Sequence, residues 1–259
     1  MDQIKRIQKA FSAQAGKYGD GSLTLAREDY IKWMVDSLPV EPDFEVLDVA
    51  AGTAHVGRGL APRVKHVTAF DVTPEMLAEG AAAAARAGIE NMSFESGNAE
   101  RLPFEDGSFD LVVARFAIHH FVEPSVQVAE MARVCRASGF VGLIDMVSPA
   151  EAELAGQYNY WERVRDPSHT EALSAEGLAG LISGAGLVQT HVDFTEIEVD
   201  LEKWLGLTEP GEGAERAIRS ALEQEIGGGC ATGLRPFARD EKLKFRHVWM
   251  IVVGRKGGS

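Results

Sequence analysis

Cysteine is close to absent from this chain, which carries only Cys135 and Cys230. Two thiols build neither a disulfide framework nor a cysteine-based metal site. No H-x-x-x-H pair occurs either, so no bound metal is expected. Long apolar runs are also missing. The longest is a handful of residues, against the roughly 20 that span a bilayer. The opening MDQIKRIQKAF lacks the apolar stretch of a signal peptide. No membrane partner is expected, and cytoplasmic residence is the default. Basic charge is scarce: 26 Lys and Arg face 39 Asp and Glu, for a formal net charge of -13, with no basic run anywhere. Phosphate contacts supply most non-specific affinity for nucleic acid, so that class of partner is not expected. What remains is ordinary for a globular chain: 45% hydrophobic and 25% charged residues in a length of 259, enough for one α/β domain with additions.

Hydrophobic periodicity organises the chain. Two helices open it, the second over 23–38, broken by Pro39 and Pro42. Short apolar strands then alternate with helices: strands at 45–49, 66–70, 92–95, 109–114 and 140–147, helices at 54–61, 74–87 and 124–136. Cys135 falls in the last helix as a small buried hydrophobe. Alternation of this kind predicts right-handed βαβ units and a doubly wound, mostly parallel sheet covered on both faces. A helix at 175–185 and strands at 187–197 and 247–253 complete seven strands. The expected organisation is therefore a single domain. Residues 1–39 are N-terminal helices, 40–149 the ligand-binding core, 150–173 and 198–245 insertions forming a helical lid, and 174–197 with 246–254 the rest of the sheet.

The segment VLDVAAGTAHVGRGL, residues 46–60, carries the strongest indication of chemistry. A buried strand ends in Asp48, passes through small Ala50, Ala51 and Gly52, and enters a helix. Small residues let a ligand approach the backbone, at the carboxyl edge where open α/β sheets bind ligands. A second strand delivers Asp71, 19 residues after Gly52, a spacing suited to accepting both hydroxyls of a ribose. Helix capping is the other role open to Asp71. A nicotinamide-dependent oxidoreductase shares that acid, but its G-x-G-x-x-G is absent, and ESGNAERLPFEDGSFDLVVARFAIHHF (95–121) has no counterpart there. A catalytically silent ligand-binding protein on the same fold is the remaining alternative.

Together these motifs resemble the class I S-adenosylmethionine-dependent methyltransferases of the ubiquinone/menaquinone-biosynthesis-like, type 11 group, over residues 44–147. VLDVAAGTA is similar to the family's glycine-rich first motif, FDVTPEML to its ribose motif, SGNAERLPF to its adenine motif, and FDLVVARFAIHHF to its fourth strand and following loop. FSAQAGKY resembles the helix that covers the ligand, and RDPSH (165–169) resembles one branch of bacterial members. The resemblance implies a Rossmann-like fold, S-adenosyl-L-methionine as cofactor and a small-molecule substrate. It implies that Gly52 and Ala50 face the methionine part and that Asp48 supports that loop or the amino group. Asp71 would hold the ribose, Val72 or Met76 would pack on adenine, and Asn98 with the Ala99 amide would meet its edge. Arg115 would present its backbone near the amino group, and Tyr18 would close over the ligand. Ala50 and Ala54 stand where the family has glycine, and Asn98 stands for its usual Asp. The N-R-x-x-D-like pattern of quinone C-methyltransferases is missing, so a quinone acceptor is not expected.

Methyl transfer from a sulfonium needs positioning and exclusion of water, and a base only when the nucleophile carries a proton. His119 and His120 follow the fourth strand at the ligand edge, and His169 arrives from the first insertion. These are the candidate bases, with Asp145 placed to orient a histidine or face the pocket. The aromatics Tyr158, Tyr160, Trp161, Trp204 and Phe237 of the insertions are candidates for acceptor contact or for simple packing.

Overall fold

In a computed structural model, residues 3–18 and 27–258 are described, without the side chain of Tyr18. Helices α1 (Gln3–Tyr18) and α2 (Glu28–Asp36) come first, so the part of the second expected helix before residue 27 lies outside the described residues. The core follows as β1 (Glu45–Val49), α3 (His55–Leu60), β2 (His66–Asp71), α4 (Pro74–Arg86), β3 (Met92–Ser96), β4 (Phe109–Arg115), α5 (Pro124–Val134) and β5 (Cys135–Val147). Then come α6 (Ala152–Arg165), α7 (Ala175–Gly184), β6 (Val188–Asp200), α8 (Leu201–Thr208), α9 (Glu212–Ile226), β7 (Phe237–Arg239) and β8 (Lys242–Arg255).

The strands stand in the order β3-β2-β1-β4-β5-β8-β6, with β7 paired to β8. β1 to β5 are mutually parallel, and β8 runs antiparallel between β5 and β6. This is the Rossmann-like methyltransferase architecture. Alternate residues of each strand feed two cores, as the two-residue period requires. Val46, Leu111, Val113, Ile144 and Ile251 pack beneath α2, α3 and α8. Leu47, Val49, Val112, Leu143 and Val252 pack beneath α5 and α7. Register then places the site: Val49 is level with both Phe70 and Ala114, so the loops after β1, β2 and β4 emerge along one edge.

Two differences from the sequence reading have physical causes. Cys135 is buried but opens β5 instead of closing a helix, because the Lys256 ammonium donates to the carbonyls of Ala132 and Cys135, 2.7 Å each, and so caps α5 at Val134. An eighth strand, β7, forms a hairpin with β8 through Asp240 and Glu241, at φ +52° and +59°. Such a turn usually advertises itself by Asn-Gly or Asp-Gly, and here neither residue is glycine.

Gly254 of β8 lies where α7 crosses the sheet. A methyl group there would run into Ile182 Cγ2 and stand 2.9 Å from Leu187 Cβ. Gly254→Ala is expected to cost about 1–3 kcal/mol through overpacking. The measurement is urea unfolding, where the midpoint should fall at constant slope. A midpoint at or above the wild-type value would mean that α7 gives way freely.

Candidate active site

After Val49 the chain alternates through the left-handed region, with Ala50 at φ +52°, Gly52 at +55° and Ala54 at +54°. A Cβ on Gly52 would also stand 3.1 Å from Met76 Cε, so both the backbone and the close approach of Met76 favour glycine at that position. The two alanines hold the same region at a cost of roughly 1–2 kcal/mol each. Asp71, at the end of β2, holds this loop: Gly52 N–H donates to its Oδ2 at 2.7 Å and Thr73 N–H to its Oδ1 at 2.8 Å. Burial raises the Asp71 pKa, and these N–H groups oppose the rise. Asp48 lies behind the same loop. Its Oδ2 accepts from Gly57 N–H at 2.9 Å, while Oδ1 is buried without a hydrogen-bond partner. Burial pushes the Asp48 pKa up to about 7, partly offset by the Gly57 N–H and by the charge of Arg115.

The loops enclose a cavity of about 420 Å³. Among its walls are Ala50, Gly52, Asp71, Val72, Met76, Asn98, Ala99 and Arg115, the residues singled out from sequence. Asp48 is not a wall residue; it acts through the loop. The Tyr18 side chain lies outside the described residues. Asn98 differs in detail from expectation. Its Oδ1 accepts from Glu100 N–H at 2.9 Å and its Nδ2 donates to Glu100 Oε2 at 3.1 Å, so the amide is already committed to a local turn. Glu100 itself borders the cavity and was not foreseen. The roof was not foreseen in detail either. It is α1 that supplies Gln3, Ile4, Ile7 and Phe11. The helical spacing of the three apolar residues was legible, whereas nothing marked Gln3.

The three candidate histidines separate. His120, on the one-turn 3-10 helix Ile118–His120, borders the cavity, with Phe11 edge-on at 5.1 Å. Its Nδ1 lies 3.1 Å from the Ser168 carbonyl, so that nitrogen carries the hydrogen and Nε2 the lone pair. Burial and the neighbouring His119 charge push its pKa down to about 4. His119 is corrected to a supporting place: it is not a wall residue, and its Nδ1 meets Asp145 Oδ1 at 2.6 Å. Burial alone would lower its pKa, but Asp145 wins and raises it. Asp145 therefore orients a histidine and does not face the cavity. His169 is likewise corrected. It is 4% exposed, its Nε2 is spent on Asn159 Oδ1 at 2.7 Å, and burial with the His119 charge lowers its pKa to about 3.

The insertion aromatics do not border the cavity either. Tyr158 and Trp204 belong to the core beneath α8, Trp161 packs against it, and Tyr160 is half exposed. Phe237 sits in β7 under the Arg246 guanidinium at 4.6 Å. The segment 198–245, expected as lid, instead closes β6 and holds α8, α9, β7 and the first residues of β8. Among the described residues no helix is long and apolar enough to cross a membrane, and no group of three His, Cys, Asp or Glu converges as a metal site.

A strained small-residue loop is thus tied to an acid on the next strand, with a side-chain-capped turn at Asn98 after the third. The chain belongs to the class I S-adenosylmethionine-dependent methyltransferases, in the group that includes YcgJ. A methyltransferase-domain family profile matches residues 46–139. The uncharacterized methyltransferase YcgJ of Bacillus subtilis is 31% identical over 195 residues, 75% of this chain and 77% of that one. Its crystal structure superposes with a TM-score of 0.81 at 26% identity, covering 90% of this chain and 100% of that one. A solved protein of Bacillus halodurans C-125 is similar at TM-score 0.80 and 27% identity, over 88% and 99% of the two chains. A phosphoethanolamine N-methyltransferase of Haemonchus contortus, solved with S-adenosyl-L-methionine, shares the fold at TM-score 0.59 and 14% identity, over 90% of this chain and 53% of that one.

The raised Asp48 carboxyl gives a signed prediction. Folded Asp48 keeps its proton to about pH 7, whereas unfolded Asp loses it near 3.8, so stability from this group is lost as pH rises between them. Asp48→Asn removes that dependence and keeps an oxygen for Gly57 N–H. Between pH 5 and pH 8 the difference in unfolding free energy should move by about 2–3 kcal/mol in favour of the variant. Parallel stability curves for the two proteins would show Asp48 ionised throughout.

Proposed function

We propose that the chain binds S-adenosyl-L-methionine in this cavity and transfers its methyl group, by in-line displacement, to a small, partly hydrophobic acceptor, leaving S-adenosyl-L-homocysteine. The observation that carries the reading is the meeting, on one cavity wall, of the loop after β1, the Asp71 carboxylate and the turn at Asn98 and Ala99. The residues present fit such a ligand. Each Asp71 oxygen takes one backbone N–H and keeps lone pairs for a ribose hydroxyl. Val72 and Met76 offer apolar surface for adenine, and the Ala99 amide, Glu100 and the hydrogen and lone pair that Asn98 does not spend on its turn offer polar atoms for its edge. The loop at Ala50 and Gly52, with the Arg115 backbone, receives the amino-acid end. Bound there, S-adenosylmethionine supplies an electrophilic methyl group. The protein's part is to hold the acceptor in line and keep water out.

The opposite wall supports a small, partly apolar acceptor. Ile4, Ile7, Phe11, Phe116 and Val122 are apolar, and His120 is the imidazole among them. Nε2 of a neutral His120 accepts a proton from an acceptor hydroxyl or ammonium. The net charge of -13 supports a small-molecule acceptor over a nucleic-acid one.

Calorimetry tests the first half. S-adenosylmethionine or its demethylated product should bind and stabilise the fold by about 2.7 kcal/mol at a 100-fold excess over Kd, whereas NAD should not bind. Asp71→Ala should weaken binding at least tenfold, since hydrogen bonds to a charged group are each worth roughly 1.5–3 kcal/mol. Binding of NAD alone, or an unchanged affinity in the variant, would sink the assignment.

The second half is read with whichever acceptor supports turnover in a library screen. His120→Ala should reduce kcat by about 10²–10⁴-fold with cofactor affinity unchanged. The base must be neutral, so wild-type turnover should persist through neutrality and fall only as pH drops toward about 4. A limb near pH 6.5 that survives in His120→Ala would assign the base elsewhere.

A further inference from the structure

The stretch RDPSH is the sequence motif that the methyl-transfer reading leaves without a role. Its residues follow directly on α6, and the chain there folds against the turn that carries His120. Thr170 N–H donates to the His119 carbonyl at 2.8 Å, and the Thr170 hydroxyl, 2.7 Å from the same oxygen and 2.8 Å from that of Phe121, shares its one hydrogen between them. Gln3 of α1 spans both pieces from above, its Nε2 donating to the carbonyls of His120 at 3.0 Å and Ser168 at 2.7 Å. His169 anchors the far side to Asn159 of α6. Three elements distant in sequence are thus tied around one imidazole.

Within that junction the donors and acceptors resolve to one arrangement. The Ser168 hydroxyl has a single hydrogen, and it goes to Asp166 Oδ1 at 2.6 Å. Ser168 Oγ, 3.2 Å from His120 Nδ1, is therefore left as an acceptor there, as the Ser168 carbonyl must be. Asp166 Oδ1 also takes the Ser168 N–H at 2.8 Å, which fixes the carboxylate in a tight turn. Asp166 and Ser168 are 6% and 1% exposed, so water competes little for these bonds.

We infer that Asp166 and Ser168 are positioning residues for His120: the Asp166–Ser168–His120 chain holds the hydrogen on Nδ1, leaves Nε2 to receive a proton, and stabilises the imidazolium that results. This rests on the methyl-transfer reading for its use, not for its geometry. In that use the acceptor's O–H or N–H bond breaks and its proton passes to Nε2. The freed electron pair forms the bond to the methyl carbon as the S–C pair returns to sulfur. The proton leaves Nε2 for water after the product has gone.

Other charges also face His120 and set its balance. On its own turn the His119 ring stands 4.2 Å away, centroid to centroid, held by Asp145 of β5. The motif adds Asp166 and His169, and from α1 the uncharged Gln3 and Phe11 meet its turn and its ring. The Asp166 carboxylate, whose pKa is lowered against its burial by the charges of His120 and Arg165, favours a cation on His120. The His119 cation opposes one.

The test is nitrogen NMR of histidine-labelled protein without ligand, with the His120 signals identified by their loss in His120→Gln. At pH 7 the wild type should show a protonated Nδ1 and a bare Nε2. Asp166→Asn should reduce the imidazolium fraction of His120 at pH 4.5 at least fivefold, and speed solvent exchange of its Nδ1 hydrogen at pH 7 at least tenfold. The exchange reading decides alone if the variant does not stay folded at pH 4.5, and Ser168→Ala should give a smaller acceleration. A bare Nδ1 in the wild type, or Asp166→Asn signals matching the wild type, would overturn the inference. Cofactor binding, measured separately, fails or succeeds without moving any of these signals.

Discussion

The bond from Gly52 N–H to the Asp71 carboxylate holds the cavity wall together. Register alone brings the ends of β1 and β2 level, but it does not hold the loops that leave them. One carboxylate oxygen takes the first loop and the other takes the second, so both turns share a single rigid group. Behind the first loop, Asp48 grips Gly57 at the start of α3. Two hydrogen bonds to charged or partly charged carboxylates, each worth roughly 1.5–3 kcal/mol, offset the strain of two left-handed alanines at roughly 1–2 kcal/mol each. That balance explains how Ala50 and Ala54 hold a backbone conformation that favours glycine. The acids on either side over-determine the path.

The same economy governs where the polar surface faces. Asp71 is buried at 8% exposure, yet its two bonds leave lone pairs free on both oxygens. Asp48, at 1%, presents nothing to the cavity and pays through a raised pKa. Two acids of the same type, one strand apart, thus differ in role because one stands at the wall and the other behind it. The distinction comes from depth, set by the small residues between them.

Depth and long-range contact also mark the boundary of what could be read from the chain. The inner strands β1, β2 and β4 were legible because burial on both faces leaves largely apolar runs, and the edge strand β3 because Met92 and Phe94 alternate with serine. The observed ends of all four fall within a residue or two of the pattern. The cavity residues of the first four strand ends were legible for a related reason: each follows its strand directly, and the parallel order brings those ends to one edge. Contacts between distant segments were not. His169 looks like a turn residue in sequence and is a buried strut to Asn159. Of the insertion aromatics, open in sequence between acceptor contact and packing, Tyr158 and Trp204 are core, whereas the roof comes from α1, whose Ile4, Ile7 and Phe11 share one helical face. The hairpin at Asp240 and Glu241 escaped because pairing with β8 imposes a left-handed pair that local preference disfavours.

The histidine cluster shows how the fold assigns different states to identical side chains. Three imidazoles stand in a row, at ring separations of 4.2 and 5.3 Å around His119. At such distances inside a protein, two adjacent cations repel by several kcal/mol, so the row holds one charge well and two poorly. Of the three rings, Asp145 hydrogen-bonds that of His119, which decides where that charge sits. Its neighbours are then held neutral, one with a nitrogen spent on Asn159 and the other with a lone pair left at the cavity. Burial does most to keep His120 neutral, and the His119 charge that Asp145 holds beside it adds to the effect. With the His120 pKa pushed down to about 4, the wall keeps a hydrogen-bond acceptor across the whole physiological range of pH.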